Sequence, residues 1–392
     1  MKILCLFGKH QYGDSLRGES TEFFSFIPAL KALGHEVTLF DSWDKSLYKD
    51  YASLNKNLVE RCEQLKPDII FWVALTVEIW IDTLNYIRSY QRVRILHWAP
   101  DDSWKYFQQS RFIAPYVELC VTTYPMLLNE YKKLGVKAVL SGWGVPASWA
   151  SSVIPFAECK YDVSFVGAAQ PKRKKFIGEL QRRGVNVLCF GHGWPAGSVE
   201  AEKIPKIFRD SRISLNFANS TGTNQVKARM FEVTGAGGFL LTQNAPGISE
   251  IFGLNSEIGV FNDADECVKR IRHYLDNPDE RDKLAKAGNL RTLMNYTYTE
   301  RLQKVLVSIP IPSIDSKLVT CNEAEFTNAL LRHRKTFLCE FTASLLTVLG
   351  SILFGVKRGR RFARRISFEI GWRLSGEKIY RAEGIVGRMF YE

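Results

Sequence analysis

Through its first 140 positions the chain alternates short β-rich runs with longer helical patterns. Strand patterns at 2–7, 36–40, 68–73, 93–98, 119–122 and 137–140 are interleaved with helical patterns at 21–33, 51–65, 78–90 and 125–134. A helical crossover returns the chain to the same edge, so such strands pair in parallel. A parallel sheet of this kind binds ligands beyond the carboxyl ends of its strands. The stretch 141–155, SGWGVPASWASSVIP, breaks the pattern with Gly, Pro and Ser and reads as an interdomain hinge. Alternation then restarts, with strands at 161–166, 186–190, 212–217, 238–242 and 258–261 and helices at 171–183 and 225–234. Helices at 264–276, 278–295 and 298–307 close this second half. The expected fold class is α/β: two Rossmann-like domains, 1–145 and 146–310, facing a cleft, followed by a basic, partly apolar helical tail at 311–392.

A chain of 392 residues fits two ordinary domains with length to spare. Its 46% hydrophobic and 24% charged residues exclude a mainly disordered, collagen-like or polytopic membrane protein. The formal charge of +12 is concentrated at one end, because residues 331–392 hold 13 Lys and Arg against 5 acids. Within that end, FTASLLTVLGSILFGV at 341–356 runs 16 residues without a charge, between Arg332, Arg334 and Lys335 on one side and KRGRRFARR on the other. A membrane span takes about 20 apolar residues, so this shorter stretch is expected to lie in or against an anionic leaflet through 332–365. The alternatives are a core helix of a small extra subdomain or an oligomer contact. Leu, Ile, Phe and Val dominate the stretch and no stacking platform accompanies the cations, which argues against nucleic acid as a partner.

Eight cysteines lie far apart and form no CxxC pair, the usage of reduced thiols in a cytosolic setting. The opening MKILCLFGKHQYGDS reads as a first strand rather than a signal peptide. The expected location is cytoplasmic, with peripheral contact to the cytoplasmic face of a membrane.

The loop 8–18, GKHQYGDSLRG, joins the first strand to the first helix. Its glycines have P-loop spacing, but Asp14 stands where the phosphate-binding Lys belongs and would repel phosphate, which removes an NTPase reading. No GxGxxG is present, which weakens a dinucleotide dehydrogenase. Asp14 remains a candidate general base or hydroxyl contact, beside the plain reading of a solvated loop. At 93–104, VRILHWAPDDSW brings His97, Asp101 and Asp102 to the carboxyl edge of a strand. Asp101 and His97 are candidate catalytic residues; helix capping by the aspartates and a structural role for the histidine are the alternatives.

In VGAAQPKRKKFIGEL, Gly167 follows a strand and Lys172, Arg173, Lys174 and Lys175 fall in the first turn of a helix. Cations there are unfavourable unless an anion joins them, so the turn is a candidate diphosphate site. Gly191, His192 and Gly193 end the next strand and let backbone approach a flat ligand such as a nucleobase. In NSTGTNQVKARMFEVTGAGGFLLTQ, 219–243, Lys227, Arg229 and Glu232 share one helix. Cations there can neutralise a phosphate while the carboxylate accepts both hydroxyls of a ribose; an ordinary Arg–Glu surface pair is the alternative. Asp263 and Asp265 imitate a metal-binding DxD, yet Asp263 followed by Glu266 three residues on is the pattern of a capping box. No zinc-like spacing occurs, and neither a metal nor a cofactor is expected.

NQVKARMFEVTGAGGFLLTQ, then ISEIFG, EIGVFNDADECVKRIRHYLDNPDERDKLAKAG and YTYTERL, together resemble the C-terminal half of CgeB-type (spore maturation protein) glycosyltransferases, relatives of the group 1 enzymes with the GT-B fold. The resemblance runs from about 161 to 302, is looser over 1–150 and does not reach the tail. It implies a metal-independent transferase that uses a nucleotide-diphosphate sugar as donor, and together with the membrane-facing tail it leads to the expectation of a glycan or glycolipid acceptor in bacterial surface polysaccharide assembly. Group 1 enzymes often carry two glutamates with seven residues between them. Glu232 matches the second, which binds ribose in that family, and the first falls on Asn224. Lys172, Arg173 and Lys174 are similar to the family's cations on the leaving diphosphate, and Gly191 with His192 would lie near the base. Asn224 in a glutamate's place also motivates a second reading, a catalytically silent scaffold that binds a nucleotide or glycan.

Overall fold

The computed structural model describes residues 1–217, 226–310 and 321–391. The chain forms two compact units, one of Met1–Gly142 with Lys304–Glu392 and the other of Trp143–Gln303. The first unit opens with β1 (Lys2–Phe7), α1 (Thr21–Ala32), β2 (Glu36–Asp41), α2 (Tyr51–Leu65), β3 (Ile69–Trp72), α3 (Ile81–Ser89) and β4 (Arg94–Ala99). It continues through α4 (Asp102–Lys105), α5 (Arg111–Ile113), β5 (Leu119–Thr122), α6 (Leu128–Lys133) and β6 (Ala138–Leu140). All six strands pair in parallel in the order β2-β1-β3-β4-β5-β6. The second unit carries β7 (Tyr161–Val166), α7 (Pro171–Arg182), β8 (Leu188–Phe190), α8 (Ile204–Arg209), β9 (Ser211–Asn216), α9 (Ala228–Gly235), β10 (Leu240–Gln243) and β11 (Gly259–Phe261). α10 (Ala264–Asp276), α11 (Pro278–Asn295) and α12 (Tyr298–Val307) follow, and its parallel sheet has the order β11-β10-β9-β7-β8. The two α/β sheets and the helical C-terminal region expected from the alternation are thus present.

Local chemistry sets where helices start. Ser20 ends the long first loop: its hydroxyl donates to the Gly8 carbonyl at 2.6 Å and accepts from the Phe23 amide at 3.0 Å, capping α1. The third helical pattern was expected from 78, yet α3 begins at Ile81. The Glu78 carboxylate accepts the Leu75 and Thr76 amides, both at 2.6 Å, and Asn55 accepts from Trp80, so those residues form a turn instead. Asp263 accepts the Glu266 amide at 2.8 Å as the N-cap of α10, the role read for it from its spacing.

Each sheet is sealed by aromatic packing. On one face of the first sheet, Phe26 of α1 lies 5.3 Å from the Phe71 ring and 5.1 Å from Trp98. The other face is covered by α2 and α3 together with C-terminal residues. The final helices are α13 (Glu323–Arg332), α14 (Phe337–Phe354), α15 (Val356–Ser375) and α16 (Ile385–Met389). Phe326, Ile379, Tyr380, Val386 and Tyr391 are buried in the same core as Leu54, Trp72 and Trp80. Full burial of a side chain of that size contributes about 1.5–3 kcal/mol, so the C-terminal segment is a structural part of the first unit. In the second unit Phe165 stacks on Phe217 at 4.6 Å and Phe176 on Phe261 at 5.7 Å. All eight cysteines are free thiols, and seven of them are buried.

Candidate functional site

In the second sheet β8 and β9 lie on opposite sides of β7, so the chain reverses direction of growth between β7 and β9. A parallel sheet opens a crevice for ligand at the carboxyl ends of such a pair. Gly167 leaves β7 there, and its backbone lies against the end of β8. The Gly167 amide donates to the Phe190 carbonyl at 2.8 Å, and the Ala169 amide to the His192 carbonyl at 2.9 Å. Gly191 has φ 130°, and a Cβ at that position would stand 2.5 Å from the Gly167 oxygen. Only glycine permits both the backbone angle and this approach. Gly167, Gly191 and His192 are thereby brought together, with His192 exposed.

Arg173, one turn into α7, covers the Phe165 ring at 5.4 Å and donates to the Ala168 carbonyl at 3.2 Å. Burial lowers its pKa, and the nearby charge of Arg229 lowers it further. Arg229 in turn makes an ion pair with Glu232 at 2.7 Å, and Glu232 is only 8% exposed. Two guanidiniums thus act on one another while a single buried carboxylate pairs with one of them, which leaves a net positive charge at the sheet's carboxyl edge. Lys172 is exposed beside them, and Lys227 occupies the N-cap of α9. Neither α7 nor α9 is capped by the side chain of its N-cap residue, and an uncapped first turn suits an anion. Asn224 lies outside the described residues.

The first sheet reverses between β1 and β3, and its acidic candidates sit around the carboxyl ends of β1, β3 and β4. Asp101 is half exposed, with Lys105 Nζ at 4.0 Å, and that ammonium also donates to the Leu75 carbonyl at 3.2 Å. Glu22, in the first turn of α1, is close enough to feel both charges. Burial pushes its carboxyl up to about 7, with Asp101 raising it further and Lys105 opposing. A carboxyl titrating near neutrality beside a second carboxylate is equipped for proton transfer. Glu22 escaped the sequence reading because a glutamate in a first helical turn is ordinary helix-dipole chemistry.

The remaining candidates occupy different surroundings. His97 is 2% exposed, with its ring 4.9 Å from that of Trp72, and burial lowers its pKa to about 3. Such an imidazole stays neutral inside the sheet, and a role as proton acceptor at neutral pH does not fit it. Asp14 accepts from the Leu16 amide and from Arg17 Nε, each at 3.0 Å, and the Arg17 bond lowers its pKa. Its carboxylate is engaged within its own turn. Neither Asp101 nor Asp102 caps α4 through its side chain. Asp102 is instead buried, accepting Ser110 Oγ at 2.5 Å and the Tyr131 hydroxyl at 2.7 Å, and burial raises its pKa to about 6. Among the described residues no cluster of His, Cys, Asp and Glu is arranged to hold a metal.

Residues 172–307 match the family described as glycosyl transferase-like. No curated protein matches the chain. Among solved structures, HepE from Anabaena bound to UDP superimposes with a TM-score of 0.54 at 12% identity, covering 79% of this chain and 99% of its own. A glycosyltransferase from Rickettsia africae gives 0.56 at 13% identity, with 78% and 97% covered. The β-glucosyltransferase of phage T4 with UDP-glucose gives 0.51 at 11% identity, with 79% and 100% covered. The chain therefore has the GT-B glycosyltransferase fold, and the segment that holds Lys172, Arg173, Arg229 and Glu232 is the one that matches a glycosyl transferase-like family.

Proposed function

We propose that this protein is a glycosyltransferase that moves a sugar from a nucleotide-diphosphate donor to a hydroxyl of a glycan or glycolipid, in assembly of a bacterial surface polysaccharide at the cytoplasmic face of the membrane. The observation that carries the reading is the Arg173–Arg229–Glu232 cluster at the carboxyl edge of the second sheet, inside the matched segment. In this reading the ribose hydroxyls donate to Glu232 and the base lies over Gly191 and His192. The diphosphate takes the unbalanced charge of Arg173 and Arg229, with Lys172, Lys227 and the first-turn amides of α7 and α9. Charge that develops on the leaving diphosphate then meets fixed cations and amide dipoles, so that stabilisation needs no reorganisation and no metal. HepE with UDP-glucose and the T4 enzyme with UDP-glucose are structural neighbours whose donors have this chemistry, which supports a uridine nucleotide as the first to try. Asp101, with Glu22 beside it, is the proposed proton acceptor from the hydroxyl.

The test is a thermal-shift panel on the full-length protein with UDP, GDP, dTDP and CMP, run beside Glu232→Ala. A ligand held at about 100 times its Kd adds about 2.7 kcal/mol to stability, a visible rise in Tm. One nucleotide is expected to stabilise the wild type and not the variant. No shift with any nucleotide would overturn the reading. Stabilisation without sugar transfer or donor hydrolysis would identify a silent nucleotide-binding scaffold instead.

A further inference from the structure

α14 is an 18-residue helix of which only Cys339 and Gly350 are buried. Its exposed positions include Leu338, Phe341, Leu345, Val348, Leu349 and Ile352, which recur at three- and four-residue spacing and form one continuous apolar row. Leu345 and Leu349 are each 46% exposed and Ile352 is 76% exposed, an arrangement that water disfavours. At Gly355, φ 81°, the chain turns and α15 folds back against α14. The two helices touch backbone to backbone: a Cβ on Gly350 would stand 2.7 Å from the Gly359 oxygen, and Phe354 packs on Phe362 at 4.8 Å. Any side chain at these glycines would separate the helices, so the hairpin moves as one body.

That pairing decides between crossing a bilayer and lying on one. At about 1.5 Å per residue α14 is roughly 27 Å long, near the ~30 Å of a hydrocarbon core. α15 would have to enter with it, and α15 exposes Arg358, Arg361, Arg364 and Arg365. Arginines at the centre of a bilayer are strongly disfavoured, whereas at headgroup level they meet lipid phosphates. An apolar row bordered by exposed guanidiniums, with Arg334 and Lys335 exposed just before α14, is complementary to an anionic leaflet in both polarity and charge.

The root of the hairpin says which part of the protein it carries. His333 Nδ1 lies 2.8 Å from the Ala382 carbonyl, the Ala382 amide donates to Asp82 at 2.8 Å, and the Tyr391 hydroxyl donates to the Lys45 and Tyr48 carbonyls. Arg365 stands 6.0 Å over the ring of Trp104, which is three residues beyond Asp101. The basic helix therefore borders the acidic edge of the first sheet.

We propose that the α14–α15 hairpin docks in the plane of an anionic bilayer, with the α14 row among the acyl chains and the α15 arginines among the phosphates, and so holds the acidic edge of the first unit at the lipid surface. The docking is independent of substrate; only its meaning, that the acceptor is borne by lipid, rests on the transferase reading.

Flotation of the full-length protein with vesicles tests it, using pure phosphatidylcholine beside phosphatidylcholine with 30% phosphatidylglycerol, a fraction chosen to be roughly that of a strongly anionic leaflet. The protein is expected to float with the anionic vesicles and not with the neutral ones, and to be released by high salt. Arg361→Gln with Arg364→Gln should lower partitioning about 30-fold, at about 5-fold per cation removed. Leu345→Glu with Ile352→Glu should abolish flotation while leaving any nucleotide-induced Tm shift intact, because those side chains already face solvent. Failure of the wild type to bind anionic vesicles, or equal binding by the variants, would overturn the proposal. So would a wild-type dimer that Leu345→Glu converts to monomer, which would make a second copy the occupant of the row. Flotation with no nucleotide shift would leave the docking standing and remove only the transferase reading.

Discussion

Arg229 and Glu232, one turn apart on α9, meet at 2.7 Å, and the charge of Arg229 acts on Arg173 across from α7. A surface Arg–Glu pair at this spacing contributes little. Here the carboxylate is 8% exposed and a second guanidinium bears on the first, so the pair is left one negative charge short. Arg229→Gln is expected to raise the Kd for the stabilising nucleotide about 10- to 100-fold, the size of a charge-assisted hydrogen bond. The same change relieves Arg173 but strips the buried Glu232 of its partner, so the unliganded variant should lose Tm as well. Calorimetric titration and a melting curve on the same sample read both effects.

The Glu22 carboxyl titrates near 7 in the fold, against an ordinary value of 4.5. Between those values the folded protein holds a proton that the unfolded chain has lost. This group's contribution to stability therefore falls as pH rises from about 4.5 to about 7. Glu22→Gln is expected to flatten that part of the Tm-against-pH curve. As a partner in proton acceptance Glu22 must be ionised, so transfer by the wild type should rise with pH through about 7, and the variant should lose that limb with about 10²-fold of rate. A variant with an unchanged pH–rate profile would leave Asp101 alone as acceptor.

Gly191→Ala places a Cβ 2.5 Å from the Gly167 oxygen on a residue with φ 130°. A loss of about 2–3 kcal/mol in urea unfolding is expected from strain of this kind. Nucleotide affinity should fall with it, because Gly167 and Gly191 define the same edge. Gly197→Ala also alters a positive-φ glycine, but there a Cβ would meet open space. It should cost less and leave affinity unchanged.

Tyr380 and Tyr391 are buried among N-terminal core residues. Deletion from 311 onward is expected to strip that core and yield a first unit without near-ultraviolet circular dichroism. Tyr391→Ala alone should cost about 3–5 kcal/mol, as for other large-to-small core changes. Leu345→Glu, in contrast, should leave the melting curve in place. The hairpin is thus separable from stability and its root is not.

The sequence determined the local pattern. Apolar runs at β1, β3 and β4 and helical periodicity between them dictated parallel strands, because a helical crossover admits no other pairing. It also determined that Asp263 would cap α10, since a cap is settled within four residues. The positions of Lys172, Arg173, Arg229 and Glu232 on their helices were legible for the same reason. Only the tertiary structure decided that Arg173 and Arg229 act on one another across 56 positions of sequence. It alone placed Glu22 beside Asp101, enclosed His97 beneath Trp72 and gave Asp102 to Ser110 and Tyr131. The C-terminal segment shows the division most plainly. Its charge and apolar stretch were visible in composition, whereas its place in the first core depends on Phe326, Tyr380 and Tyr391 meeting residues more than two hundred positions earlier. Periodicity reports which face of an element avoids water; which partner covers that face is settled only when the whole chain closes.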